Sequence, residues 1–330
     1  MPDAPPDPSA PGPGWGHFLS ANQRRALDQA LQQELDARRA GDGPQLDFDA
    51  DAGRLTVTSN GPEADVVDLA DLARAVAEHG EGPLDVDEIV EAWFAAVLDA
   101  PAAADALLDR PDDARAALRV RIIRDDDLAG APALVRTDAF PGLSAVLLLE
   151  LDASLATVPA ARVAELGPVD DLFARALANV AALDEPDVGR AEFDAELSVV
   201  TVTSDSPFAS CHALWPDRFA PVGADGALLA VPTENLVLIH PLHDASANRA
   251  VGTMALEARH HHELGPASLS PDLFWWRPGE VEHVPTSFDG VTVHVTPSEA
   301  LLDVLAQLAP EPSEPPEPPE PPEPPNPPEV

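Results

Sequence analysis

The chain has no lysine and no tyrosine, and only one cysteine, Cys211, in 330 residues. A lone cysteine excludes an internal disulfide, so packing and hydrogen bonds must hold the fold, and the usage fits a reducing compartment. No apolar run reaches the roughly 18 residues that a membrane helix needs. The opening stretch MPDAPPDPSAPGPGWGHF has neither a basic region nor an apolar one, so a soluble, cytoplasmic protein is expected. Because lysine is missing, all 19 basic residues are arginine; they face 58 acids and leave a formal net charge of -39. Such a surface repels nucleic acid and anionic lipid over about a Debye length, which argues against general binding to either. The bias toward Ala, Asp, Pro, Val and Arg is that of a GC-rich genome, and codon usage accounts for much of the acidity. Also missing are a Gly-x-Ser-x-Gly elbow, a phosphate-cradling Gly-rich loop, a Gly-x-Gly-x-x-Gly fingerprint and His-Glu-x-x-His. No catalytic residue, cofactor site or metal site is therefore assigned from motif alone.

What is present is enough apolar sequence, 45% of the chain, to build real cores. The segments 1–18 and 310–330 are rich in Pro and acids and are expected to be disordered, the second as an extended polyproline II tail. Between them, LSANQRRALDQALQQELDARRAG reads as a helix capped by Ser20, with Leu27, Leu31 and Leu35 on one face. LDFDADAGRLTVTS reads as a hairpin turning at Gly53, and ADVVDLADLARAVAEHG as a helix. In LDVDEIVEAWFAAVLDA, Ile89, Val90, Trp93, Phe94 and Val97 form one helical stripe that stops before Pro101. LRVRIIR, ALVRT and LSAVLLLELD read as strands.

A second cycle begins near Gly167: the helix VDDLFARALANVAALDEPDVG, the strand or hairpin AEFDAELSVVTVTSD, and a short Ser-capped helix in SPFASCHALW. ALLAVPTENLVLIHPL reads as two strands around a turn, SANRAVGTMALEARHHHELG as a helix, DLFWWRPGEVEHV as a hairpin, and SEALLDVLAQLA as a closing helix. The expected fold class is α+β: two successive helix-hairpin-helix-strand modules, 19–166 and 167–309, with mostly antiparallel sheets. FDADAGRLTVTS at Phe48 and FDAELSVVTVTS at Phe193 match at seven of twelve positions. In so biased a composition about one or two such matches arise by chance, so they read as two half-buried β elements with Thr and Asp on the wet face. Ser198 replaces Gly53 in the second copy, which predicts a different bend there.

The ordered segments RALDQALQQEL, LDFDADAGRLTV, VRIIR, FARALANVAAL, SPFASCHALW, ALLAVPTENLVLIHPL, MALEARHHHE and LFWWRPGEVEHV, over roughly 19–290, resemble the YtpQ-like bacterial family, a domain of unknown function numbered 1444. The resemblance implies a cytoplasmic bacterial protein. That family carries no established activity, substrate or cofactor, so it implies no site residues.

Four groups are candidates for chemistry. Asp47, Asp49 and Asp51 have the spacing of a calcium loop, but Ala52 and Thr58 stand where its Gly and bidentate Glu belong, and alternation with Phe48 fits the wet face of a strand. His240, His243 and His261 would serve a metal-dependent enzyme if they converge; the competing reading puts His260–His262 at a solvated helix end favoured by the helix dipole. Ser210-Cys211-His212 is a thin nucleophile candidate, since neighbours on a helix point about 100° apart and a packed cysteine is simpler. On LRVRIIR, Arg119 and Arg121 share a face, either as a strip for a small anion or as partners for Asp125–Asp127 and nearby acids. Trp275 and Trp276 point to opposite faces, so at least one large aromatic is expected outside the main core, and both residues are taken as interface-anchor candidates. The leading expectation is a non-enzymatic module with a protein partner, with the anion binder and the metal enzyme as alternatives.

Overall fold

The structure is a computed structural model and describes residues 16, 18–39, 44–49, 53–58, 64–80, 82–128, 134–152, 154–183, 185–194, 197–264 and 267–309. The Pro-rich ends, and Asp51 and Ala52 of the calcium-loop spacing, lie outside the described residues. The fold is α+β, and every strand pairing between named strands is antiparallel. No helix in the described residues is long and apolar enough to cross a membrane.

The chain opens with α1 (Ala21–Arg39), entered through a capping box. The Gln23 N–H donates to Ser20 Oγ at 3.2 Å, and the Ser20 N–H donates back to Gln23 Oε1 at 3.2 Å. Strands β1 (Gln45–Asp49) and β2 (Arg54–Thr58) form the expected hairpin, with Phe48 opposite Leu55 and Gly53 at φ 65° before β2. Asp47 and Asp49 are exposed on the face away from Leu46, as a strand with one wet face requires.

The next segment departs from expectation. Ala64–Asp68 is a third strand, β3, paired to β2, and α2 spans only Ala70–His79. The β-branched pair Val66-Val67 favours extended backbone, and the free edge of β2 supplies the partners that a helix would otherwise find within itself. α3 (Pro83–Leu108) also differs, because it runs through Pro101. Proline removes the bond to the carbonyl four residues earlier, at a cost of about 3 kcal/mol. The helix continues because Ala102–Ala104 favour it and because Ala104 and Leu108 are buried beyond the proline. Val86, Val90 and Phe94 on the first half of α3 pack with Leu27, Leu31, Leu35, Leu55 and Val76. Each such full burial contributes about 1.5–3 kcal/mol.

The second half of α3 belongs to a different core, which β4 enters after the short α4 (Pro111–Ala117). β4 (Leu118–Arg124) pairs with β6 (Leu143–Glu150), which also pairs with β5 (Arg136–Phe140) and β7 (Leu155–Thr157). α5 (Ala160–Leu166) and α6 (Val169–Leu183) follow. A six-stranded sheet then forms from β8 (Asp187–Glu192), β9 (Ser198–Thr203), β10 (Ala227–Thr233) and β11 (Leu236–Pro241), α7 (Ser246–Leu264) intervening before β12 (Leu273–Arg277) and β13 (Glu280–Val284). Its order is β13-β12-β10-β11-β9-β8. The small pair β14 (Thr286–Phe288) and β15 (Val293–Val295) precedes α8 (Glu299–Leu308), which Ser298 caps through the Leu301 N–H.

The two larger sheets share one core. Val120, Ile122, Leu147 and Leu149 from the smaller sheet cluster with Val200, Val202, Leu229, Val231, Val237 and Ile239 from the larger. Leu166 and Leu172, on either side of the expected boundary at 166/167, lie in this same cluster. The opposite face of the larger sheet, with Leu228, Ala230, Leu238, Leu273 and Trp275, packs on α7 and α8. Ala247, Ala250, Ala255 and Ala258 make the inner face of α7 shallow enough to seat against that sheet. Both faces of β10 and β11 are therefore buried, which is why their sequence is a nearly continuous apolar run rather than an alternation.

Both echoing segments sit at hairpins. Gly53 serves the first at φ 65°, whereas in the second Asp194 Oδ1 accepts the Leu197 N–H at 2.8 Å.

Candidate functional site: an aromatic cleft and two closed polar groups

The face of β4 opposite its apolar residues is the first place where charge gathers. Pro232 cannot donate to the ladder, and the pairing of β10 with β11 shifts register between Ala230 and Thr233. The local backbone turns instead to the loop at 267–270: the Leu269 N–H donates to Pro232 O at 2.9 Å, and the Glu234 N–H to Ala267 O at 3.1 Å. This irregularity aims Glu234, at the hairpin tip, inward toward β4 and α2. There Arg121 makes forked contacts to two carboxylates: Nε and Nη2 each donate to Glu234 at 2.8 Å, and Nη1 and Nη2 donate to Asp71 at 3.0 and 3.1 Å. Arg74 closes the square, reaching Asp71 at 3.2 Å and Glu234 at 2.9 Å.

Burial alone would raise the Asp71 carboxyl, but the guanidinium groups of Arg121 and then Arg74 outweigh it and hold the group below the ordinary carboxylate range. Burial would likewise lower Arg121, yet Asp71 and Glu234 keep it well above its ordinary value. Arg119 is also occupied. It pairs with Glu150 at 2.5 Å and donates to the carbonyls of Ala116 and Leu118, both at 2.8 Å. The alternation of β4 is as expected, but Arg119 and Arg121 do not form an open strip for an anion. Their partners are not Asp125–Asp127 but acids distant in sequence; Asp127 pairs with Arg54 and Arg124 instead.

The histidines do not converge. His240 and His243 lie before α7, whereas His261 lies near its far end, 15 residues after Ser246. That separation is about 22 Å along a helix. Among the described residues no group of three or more His, Cys, Asp or Glu is placed to hold a metal ion. His240 is buried, with Nδ1 3.1 Å from Ser198 O and Nε2 3.2 Å from Ser246 Oγ. Ser246 Oγ also donates to Asp244 Oδ1 at 2.5 Å, and the Ser246 N–H donates to the same oxygen at 2.8 Å. This is the start of α7 resting on a histidine. Burial lowers the His240 pKa and favours its neutral form. Cys211 is fully buried and donates its thiol to Val120 O at 3.1 Å, as a packed cysteine does.

The aromatic pair divides sharply. Trp275 is 2% exposed in the core under α7 and donates Nε1 to Asp225 O at 2.8 Å. Arg277 stacks over its ring at 3.9 Å, so Trp275 offers no docking face and the expectation for it is corrected. Trp276, on the other face of β12, is half-buried and lines a cleft of about 640 Å³. Phe140, Leu214 and Val281 join it there, and Asp125, Asp138 and Glu280 stand among the lining residues. The cleft lies between β5 and β13, each an outermost strand of its sheet. Sequence reasoning marked Trp276 but missed Asp138 and the β5–β6 turn, because nothing local in RTDAFPG announces that it will face β13.

Compared with models of protein families, with curated proteins and with solved structures, the chain matches none, so no residue role enters from a relative.

Proposed function

We propose that the chain is a non-enzymatic protein-interaction module that docks a partner segment in the cleft at Trp276. The observation that carries this reading is a partly buried tryptophan, packed on the core by one side, that lines a cleft between two edge strands. The other polar groupings considered, around Arg121 and around His240, spend their hydrogen bonds internally. Large aromatics in such a setting supply much of the energy of protein association, because they bury wide area at low entropic cost. Edge strands beside the cleft give an extended segment unpaired backbone to lie against.

On this reading the protein is cytoplasmic, takes a protein partner rather than nucleic acid or membrane, and belongs to the YtpQ-like family. The single cysteine, the charge of -39 and the segments quoted above support those three statements in turn. The test is a peptide array probed with the full chain. Wild type and a Phe288→Ala control are expected to retain a common set of peptides that Trp276→Ala loses. Retention of the same set by Trp276→Ala breaks the assignment.

A further inference from the structure

We infer that the segment this cleft takes is basic, with an arginine or lysine side chain laid against Trp276 between Asp138 and Asp125; this rests on the docking reading above. The floor is apolar and aromatic: Trp276, Phe140, Leu214 and Val281. A cation over an indole face is attracted by its quadrupole, and the aliphatic stem of Arg or Lys covers the neighbouring apolar surface.

The lining charges are all acidic and are compensated to different degrees. Glu280 already pairs with Arg277 at 2.9 Å. Asp125 accepts the Ser144 hydroxyl at 2.6 Å but has no cationic partner among the described residues, and neither has Asp138, which is exposed. The cleft thus presents two carboxylates without a countercharge beside an aromatic floor. Charge complementarity selects a cation and rejects the chain's own tail, PEPSEPPEPPEPPEPPNPPEV, whose repeated glutamates would be repelled. At the mouth, Gly142 and Gly279 occupy turns at φ 82° and 81°, and a Cβ built on either meets nothing within 4 Å. Both lips are therefore low, leaving room for a chain that continues past the seated residue.

The experiment is calorimetric titration of the full chain with a short peptide alternating Arg and Thr, beside matched peptides alternating Glu and Thr or Ser and Thr. The Arg peptide is expected to bind more weakly as salt rises, and to lose about tenfold or more in affinity with Trp276→Ala and with Asp138→Asn. The Asp138 side chain is exposed and has no ion partner among the described residues, so Asp138→Asn should keep the wild-type thermal midpoint. Binding of the Ser or Glu peptide with equal strength, lost in Trp276→Ala, would leave the docking reading standing and overturn the basic specificity. Binding of the Arg peptide unaffected by either substitution would assign it to the general negative surface and overturn the basic specificity, the docking reading being judged by the array. No binding by any of the peptides would likewise overturn the basic inference, with the array left to judge docking alone.

Discussion

Around Arg121, two guanidinium groups and two carboxylates close over one another between α2, β4 and the β10–β11 turn. At the Trp276 cleft, Asp125 and Asp138 stand at the surface with no cationic partner among the described residues, beside an indole that is partly buried. The residue types are similar and the environments are opposite. In the first place Glu234 and both guanidinium groups have lost most of their water and depend on their partners, Asp71 closing the group from its more exposed edge, so the group is neutral overall and ties α2 to β4 and the β10–β11 turn. In the second place the charges keep their water until something displaces it, so they add little to folding and remain available for binding. Burial with full pairing makes a charged group structural; exposure beside an aromatic floor makes it a recognition element.

Breaking that contrast should have its largest effect at Glu234. Glu234→Ala leaves two buried guanidinium groups with half their countercharge and should cost about 3–5 kcal/mol, read as a lower urea midpoint at unchanged slope. A loss below about 1 kcal/mol would mean that the group behaves like a surface pair. Next is Arg121→Lys, which keeps the charge but cannot reproduce forked bonds to two carboxylates at once; roughly 2–3 kcal/mol is expected, and full stability would refute the geometric argument.

Acid should then separate the closed network from the buried histidine by pH. The folded pKa of His240, whose nearest charged neighbours are Asp244 and His243, lies below its ordinary value. Between about 6.5 and that lower value the unfolded chain binds a proton that the native one refuses, so stability falls as pH drops through this window. His261 and His262, also lowered, add to the slope, and His240→Gln should flatten only part of it. The Asp71 contribution is of the opposite type. It is present above the ordinary carboxylate pKa and is lost only as pH falls through the lower folded value, a second and more acidic loss of stability. A single transition, unchanged by Asp71→Asn, would count against the closed network. The smallest stability effect belongs to Asp138→Asn, within about 0.5 kcal/mol, although it is expected to abolish most binding of the Arg peptide.

Much of the local structure was legible because short-range chemistry decides it. Ser20 and Gln23 make a capping box, Ser298 caps α8, and the Arg277-Pro278-Gly279-Glu280 turn sits between β12 and β13 as read. The exceptions have one cause. Ala64–Asp68 has a helical continuation in sequence, but a free strand edge lay beside it. Pro101 should stop a helix, but buried residues beyond it in another core carried the helix through. The candidate site was half legible for the same reason. The pleat separates Trp275 from Trp276, but which face α7 would cover depends on residues far along the chain.

The sequence by itself determined the α+β class, the antiparallel hairpins, the arginine-only basic complement and the alternation that sends Val120 and Ile122 one way and Arg119 and Arg121 the other. Each follows from a period of two or of 3.6, or from composition, and so from neighbours along the chain. Only the tertiary structure decided that Glu234 would neutralise Arg121 across 113 positions, that Trp275 would be buried and Trp276 left at a cleft, and that His240 and His261 would lie apart. Desolvation and Coulomb energy depend on what surrounds a group in space, and neighbours in sequence do not fix that surrounding.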